Sequence, residues 1–183
     1  IDGLFEDYAF TIQAYIDLYT NTLNEAFINQ AKSYTNVAFD LFFDSEKKFF
    51  RSHKLNKNLI TNHFDIEDNV IPASNSIMAN NLIFLGMIFD NKHYVNVSEN
   101  MLSKITESID YASAFSHWLL AFLKTEDNFK EISIIGAETE KFHTELIQDY
   151  LPNSLICGSS KPSDLQILKD YSFKNTKKTE IYV

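Results

Sequence analysis

The chain has 183 residues, 45% of them hydrophobic and 14% aromatic, with 16 Phe and 9 Tyr. That is bulk enough for a core burying roughly 70% of the extended-chain surface, and it excludes a disordered chain. Against 25 acidic residues stand 16 basic ones, a net charge of −9 and a pI near 4.9, which repels phosphate backbones and anionic bilayers, so neither nucleic acid nor membrane is an expected partner.

From Phe5, apolar residues recur at Tyr8, Ala9, Ile12, Tyr15, Ile16 and Tyr19, which is helical spacing. Phe10 and Leu18 fall on the other side, so burial on more than one face is expected. A second helical pattern runs Phe27, Ala31, Tyr34, Val37, Ala38, Leu41 and Phe42, after a polar break at Asn21–Asn24 that supplies N-cap candidates. So short a turn makes the two helices pack antiparallel. Lys48–His53 and Leu59–Phe64 read as two strands around Lys54–Asn58, a β-hairpin inserted at about 48–64.

Pro72 opens the next helix, which Ser74 or Asn75 can cap, and the run from Ile77 to Gly86 is apolar on most sides. After the break Asp90-Asn91-Lys92, the stripe Tyr94, Val97, Met101, Ile105 and Ile109 predicts a helix with one face in water. A further helix is expected over about Ala112–Leu123. A thoroughly buried helix followed by an amphipathic one is the pattern of a toroid of helical hairpins, with inner helices covered on both sides and outer ones facing solvent. The fold class predicted is therefore mainly α, with 1–128 forming part of an (α/α) toroid.

Near Lys130 the pattern changes. Glu131–Gly136 reads as a strand, Glu138–Tyr150 as a helix and Ser154–Cys157 as a second strand, a compact strand-helix-strand element. A short helix from Lys161 to Leu168 and a final strand at Glu180–Val183 complete a small α/β unit over 129–183. The turn Gly136-Ala137-Glu138 lacks the glycines of a nucleotide loop, and Glu138 would repel a phosphate. Lys174, Lys177 and Lys178 form a basic cluster with no interleaved aromatic residues, a solvated loop.

The longest apolar run, Leu82–Phe89, falls short of the ~20 residues of a membrane span. The single cysteine, Cys157, permits no internal disulfide and reads as a buried, inert thiol, which favours the cytoplasm. No signal peptide is visible, and the chain begins at Ile1 rather than Met. The expectation is a piece of a longer protein.

Two segments concentrate polar chemistry. In Phe5-Glu6-Asp7-Tyr8-Ala9-Phe10, adjacent carboxylates beside a tyrosine could hold a sugar hydroxyl or work as acid and base; the simpler role is to offset the helix dipole. In Asp68-Asn69-Val70-Ile71-Pro72-Ala73-Ser74-Asn75-Ser76, short polar side chains meet a helix N-terminus, which suits either a polar ligand or a tightly self-bonded capping turn. The substrate-binding candidates are Asp7, Tyr8, Asp68, Asn75 and Ser76. The five histidines are scattered without metal-ligand spacing, so no metal or cofactor is expected; His63, beside the loop carrying Asp65 and Asp68, is the first to check.

Taken in order, Phe5–Phe10, Asp68–Ser76 and Glu131–Cys157 resemble three segments of one family, the thioredoxin-domain proteins related to spermatogenesis-associated protein 20. Asp7 and Tyr8 match its Leu-Asp-Asp-Tyr-Ala-Phe signature. Asp68, Pro72, Asn75 and Ser76 match its Asp-Gly-Ala-x-Pro-Ser-Gly-Asn-Ser turn, although Asn69, Ala73 and Ser74 stand where the family usually has Gly, Ser and Gly. The resemblance implies a toroid similar to the N-acylglucosamine 2-epimerase and six-hairpin glycosidase folds, preceded in the full protein by a thioredoxin-like domain.

Two functions are then expected alternatives. One is a toroid that binds or transforms a carbohydrate, with Asp7, Tyr8, Asp68 and Asn75 converging on one pocket. The other is a non-catalytic interaction module supporting a thioredoxin-like redox domain, whose partners would be the missing N-terminal segments. Open toroid edges also predict self-association or a large exposed apolar face.

Overall fold

A computed structural model describes residues 3–54, 62–126, 129–169, 171 and 178–183. Helix α1 (Phe5–Thr22) buries Phe5, Ala9, Ile12, Ile16 and Tyr19 along one stripe. It stops where Leu23 turns left-handed at φ 54°, a conformation uncommon outside glycine, and closes its N–H on the Tyr19 carbonyl. Asn24 then caps α2 (Glu25–Phe42), its Oδ1 accepting from the Ala26 N–H. Of the two residues expected to bury a further face of α1, Phe10 packs against the core and Leu18 is 44% exposed.

A β-hairpin follows, but earlier than 48–64. Strands β1 (Phe43–Asp44) and β2 (Phe49–Phe50) pair antiparallel, Phe43 opposite Phe50. Asp44 sets this register, because its Oδ1 accepts from the Glu46 and Lys47 N–H groups and its Oδ2 is held by Arg51 at 2.8 Å. Of the expected second strand, Leu59–Thr61 lie outside the described residues and residues 62–64 are not a strand. Ser52 joins the two segments through His63, its N–H donating to the His63 carbonyl at 2.8 Å and its Oγ lying 2.9 Å from Nδ1.

Helix α3 (Ser74–Phe89) is buried on nearly every side and packs against both α1 and α5 (Ser116–Lys124). Behind it, α4 (Lys92–Thr106) buries one face, as its stripe predicts. Asp90 at φ 47° ends α3, and the Asn91 Oδ1 caps α4 by accepting from the His93 and Tyr94 N–H groups. The hairpin closes tightly because Gly86 has no side chain; a Cβ there would lie 2.6 Å from Val95 Cγ2. The helix expected at 112–123 divides into a 3-10 turn, Ala112–Phe115, and α5.

The three helices α1, α3 and α5 run parallel. Near one end, the Phe5 N–H reaches the Ser52 carbonyl while Asn75 bonds Phe50; one turn or two further on, Asn81 Nδ2 donates to the Ala9 carbonyl at 3.0 Å. Asn80 Nδ2 likewise donates to the His117 carbonyl at 2.9 Å. All three therefore begin at the same end of the molecule.

Strands β3 (Lys130–Ile135) and β4 (Ser154–Ser159) pair parallel around α6 (Thr139–Leu146), which is shorter than the expected 138–150. Strand β5 (Glu180–Tyr182) adds antiparallel, giving the order β4-β3-β5. Gly136 sits at φ 137°, and a Cβ there would meet the Lys178 carbonyl and Thr179 Cα at 2.7 Å. The glycine thus serves the approach of β5. The helix expected to end at Leu168 is a 3-10 turn, Gln166–Leu168. Leu155, Cys157, Leu165 and Leu168 join the helical core, and His143 Nε2 meets the Thr20 carbonyl at 2.7 Å. Lys174 and Lys177 lie outside the described residues. Among the described residues no helix is long and apolar enough to cross a membrane.

Candidate functional site

Helix α3 begins without a side-chain cap of its own. Neither Ser74 nor Asn75 supplies one; two carboxylates from the preceding loop do. Asp65 Oδ2 accepts from the Ser74 N–H at 2.7 Å, and Asp68 Oδ1 accepts from the Ala73 N–H at 2.9 Å and from Ser76 Oγ at 2.6 Å. The other oxygen of Asp68 accepts from the His117 N–H at 2.8 Å, and the Asp68 N–H donates to the Ala114 carbonyl. One carboxylate, 8% exposed, therefore ties the loop to the starts of α3 and α5.

Asn75, freed from capping, turns to the hairpin. Its Oδ1 accepts from the Phe50 N–H at 2.8 Å, and its Nδ2 donates to the Phe50 carbonyl at 2.9 Å and the Asp65 carbonyl at 3.0 Å. An amide is the one side chain that pairs with a peptide unit in this two-way manner. Asn75 and Ser76 are fully buried.

Asp7 and Tyr8 are not brought to this cluster. Asp7 Oδ2 accepts from the Leu4 N–H at 2.8 Å, a third-residue carboxylate reaching back over its own helix end. Tyr8 faces α2, with its ring 5.3 Å from Phe42 and 6.2 Å from Tyr34. Of the five candidates, Asp68 and Ser76 bond each other, Asn75 bonds Phe50 and Asp65 beside them, and Asp7 and Tyr8 lie apart.

The open space belongs to their neighbours. A recess of about 300 Å³ at the mouth formed by the α1 and α3 starts is lined by Glu6, Ser52, His63, Asp65, Glu67 and Ser74, among others. His63 Nδ1 is 2.9 Å from Ser52 Oγ. Three carboxylates, an imidazole and two hydroxyls thus meet around a volume that suits a small polar molecule. His63 was legible beside the acidic loop and Glu67 was not, whereas Glu6 was read with Asp7 as one of two adjacent carboxylates. Its spacing to Gln13 and Asp17, two and three turns on, marks it as belonging to a different face.

That face borders a second concavity of about 410 Å³, floored by Ile77 and Asn80 of α3 and walled by Gln13 and Asp17 of α1 and by His117 and Lys124 of α5. Burial pushes the His117 imidazole below its ordinary value, with Asp68 opposing and Lys124 reinforcing the shift. Burial likewise lowers the Lys124 ammonium to about 8, against the pull of Asp17. No group of three His, Cys, Asp or Glu among the described residues is placed to hold a metal ion.

No family model matches the chain. It is 27% identical over 169 residues to spermatogenesis-associated protein 20 of Homo sapiens, covering 88% of this chain and 22% of that protein. The rat protein of the same name matches equally well, at 27% over 169 residues and 21% of its length. An uncharacterized protein of Caenorhabditis elegans is 30% identical over 94 residues, 51% of this chain and 13% of that one. The resemblance read from the three ordered segments therefore holds for spermatogenesis-associated protein 20. The chain spans about a fifth of the length of the curated relatives it matches.

Proposed function

We propose that this chain binds a small polyhydroxylated ligand, a carbohydrate, in the recess at the start of α1 and α3. The observation that carries the reading is the gathering of Glu6, Asp65 and Glu67 with His63, Ser52 and Ser74 around one volume of about 300 Å³. Carboxylates accept paired hydrogen bonds from vicinal hydroxyls, and an imidazole beside them can donate or accept. Asp68, Asn75 and Ser76 then shape the recess from beneath, and Asp7 steadies the helix end that presents Glu6. The parallel set α1, α3 and α5, of which α3 is buried on nearly every side, supports reading the helices as part of an (α/α) toroid whose inner helices start at the ligand-facing end.

A thermal-shift screen against a panel of mono- and disaccharides tests the reading. One sugar class should raise the melting temperature, and Glu6→Gln and Glu67→Gln should abolish that rise while leaving the unliganded melting temperature within ~2 °C, as surface substitutions do. No shift with any sugar sinks it.

A specific observation favours the second reading, an interaction module beside a thioredoxin-like domain. Val70, 97% exposed, and Ile71 project from the rim of the recess, and Tyr150 is 89% exposed. Val70 and Ile71, adjacent in the chain, give a partner two neighbouring apolar side chains to cover. Binding of a separately produced thioredoxin-like segment of the full protein, lost in Val70→Asp, would favour this reading over the first.

A further inference from the structure

We propose that the groove between α1 and α5 is a second site, one that captures a short hydroxyaldehyde as an imine on Lys124 Nζ. It is separate from the recess that holds Glu6 and Glu67 and does not depend on that reading.

Geometry comes first. Lys124 lies two turns beyond His117 on α5, so both side chains project from one face, with Leu120 between them. All three line the concavity of about 410 Å³, opposite Gln13 and Asp17. The α1 wall is fixed, because Gln13 Nε2 donates to Asp17 Oδ1 at 2.7 Å. On the floor, both hydrogens of Asn80 Nδ2 are spent on the Ser76 and His117 carbonyls, which turns its Oδ1 into an acceptor for a ligand hydroxyl. Among the described residues no ion pair engages the Lys124 ammonium. An apolar wall, an amine, an acceptor amide and a carboxylate therefore surround one volume.

Protonation fits the same chemistry. An amine titrating near 8 holds, at pH 7.5, on the order of a hundred times more free base than an exposed lysine. Burial also pushes His117 below its ordinary value, so the imidazole lining the same concavity favours its neutral form. In the step itself the Nζ lone pair attacks the aldehyde carbon, and the carbonyl π bond breaks. A proton passes from nitrogen through water in the open groove to the oxygen, giving a carbinolamine. That intermediate expels its hydroxyl, with a proton, as water, and the C=N bond forms. Nothing is oxidised or reduced. Asp17 and the Asn80 Oδ1 are placed to hold the hydroxyls of the captured molecule.

The test uses the chain with glyceraldehyde and cyanoborohydride at pH 7.5, followed by peptide mass spectrometry. Lys124 should be modified at least about ten times faster than any other lysine, and that preference should vanish in urea, where the groove no longer exists. Lys124→Arg should remove this adduct and leave the others unchanged. Asp17→Asn should move the pH midpoint of Lys124 labelling downward, because the nearby negative charge that favours the ammonium is gone. Adducts spread evenly over the exposed lysines, or a Lys124 rate unchanged in urea, would overturn the proposal even if a variant fails to fold. Loss of sugar binding in Glu6→Gln with Lys124 labelling intact would separate the two sites.

Discussion

The carboxylate of Asp68 accepts the backbone N–H of His117 across 49 residues of sequence, at 2.8 Å. Because the same carboxylate also holds the Ala73 N–H and the Ser76 hydroxyl, removing it strands the buried Ala73 N–H and the part-buried His117 N–H and leaves the Ser76 hydroxyl only the Ala73 carbonyl. Asp68→Ala should cost roughly 3–5 kcal/mol in urea unfolding, and Asp68→Asn less, since one acceptor remains. A cost below about 1 kcal/mol would mean that water replaces the carboxylate and that the residue is free for another role.

Asn75 invites a sharper comparison. Asn75→Ala loses two buried hydrogen bonds and one part-buried one and should cost roughly 2–4 kcal/mol. Asn75→Asp keeps an acceptor for the Phe50 N–H but sets a charge against the Phe50 and Asp65 carbonyls. It should therefore be the less stable of the two at pH 7 and recover as the pH falls and the new carboxyl protonates. Equal urea midpoints for the two variants across that range would contradict the two-way pairing with Phe50.

Acid should loosen the hairpin. The Lys47 N–H foremost, then the Glu46 N–H and the Arg51 guanidinium, hold the Asp44 carboxyl below its ordinary value. A carboxyl depressed on folding contributes stability that is present above its unfolded value and is lost as the pH falls through the folded one. The wild type should thus lose stability below about pH 4, by about 1 kcal/mol or less for a site this close to solvent. Asp44→Asn, which has already lost the charge, should show a shallower decline in the same titration.

Cys157 should be silent in the native chain. Burial pushes its thiol up to about 11, and the side chain is fully enclosed between β3 and the helical core. A disulfide reagent at pH 8 should react only as fast as the chain opens, and at once in denaturant. Stoichiometric reaction within the mixing time of native protein would show the β-sheet packing to be wrong.

Much of this architecture could be read from residue order. The helical hairpins followed from the spacing of Ala9, Ile12 and Ile16 and of Tyr94, Val97 and Met101, because periodicity reports directly which side of a helix is dry. The hairpin position was not legible: its register depends on Asp44 gathering two N–H groups and Arg51, a local polar turn that alternation of apolar residues does not encode. The cap of α3 was misjudged for a related reason. Ser74 and Asn75 have capping side chains, but Asp65 and Asp68 arrive from outside the helix with full charges and take the amides instead. Displaced residues then found other partners, and the recess passed to Glu6 and Glu67, whose exposure a one-dimensional reading cannot see.

The near-immediate chain reversals at Leu23 and at Asp90-Asn91 carry a kinetic consequence. Each brings two helices together through contacts close in sequence, whereas Asp68 to His117 and Asn75 to Phe50 span 49 and 25 residues. Local pairings cost less loop-closure entropy than the distant polar clasps, so the clasps are expected to form later. Asp68 and Asn75 variants should therefore leave the refolding arm of a chevron nearly unchanged and steepen the escape from the native state, while a bulky residue at Gly86 should slow refolding.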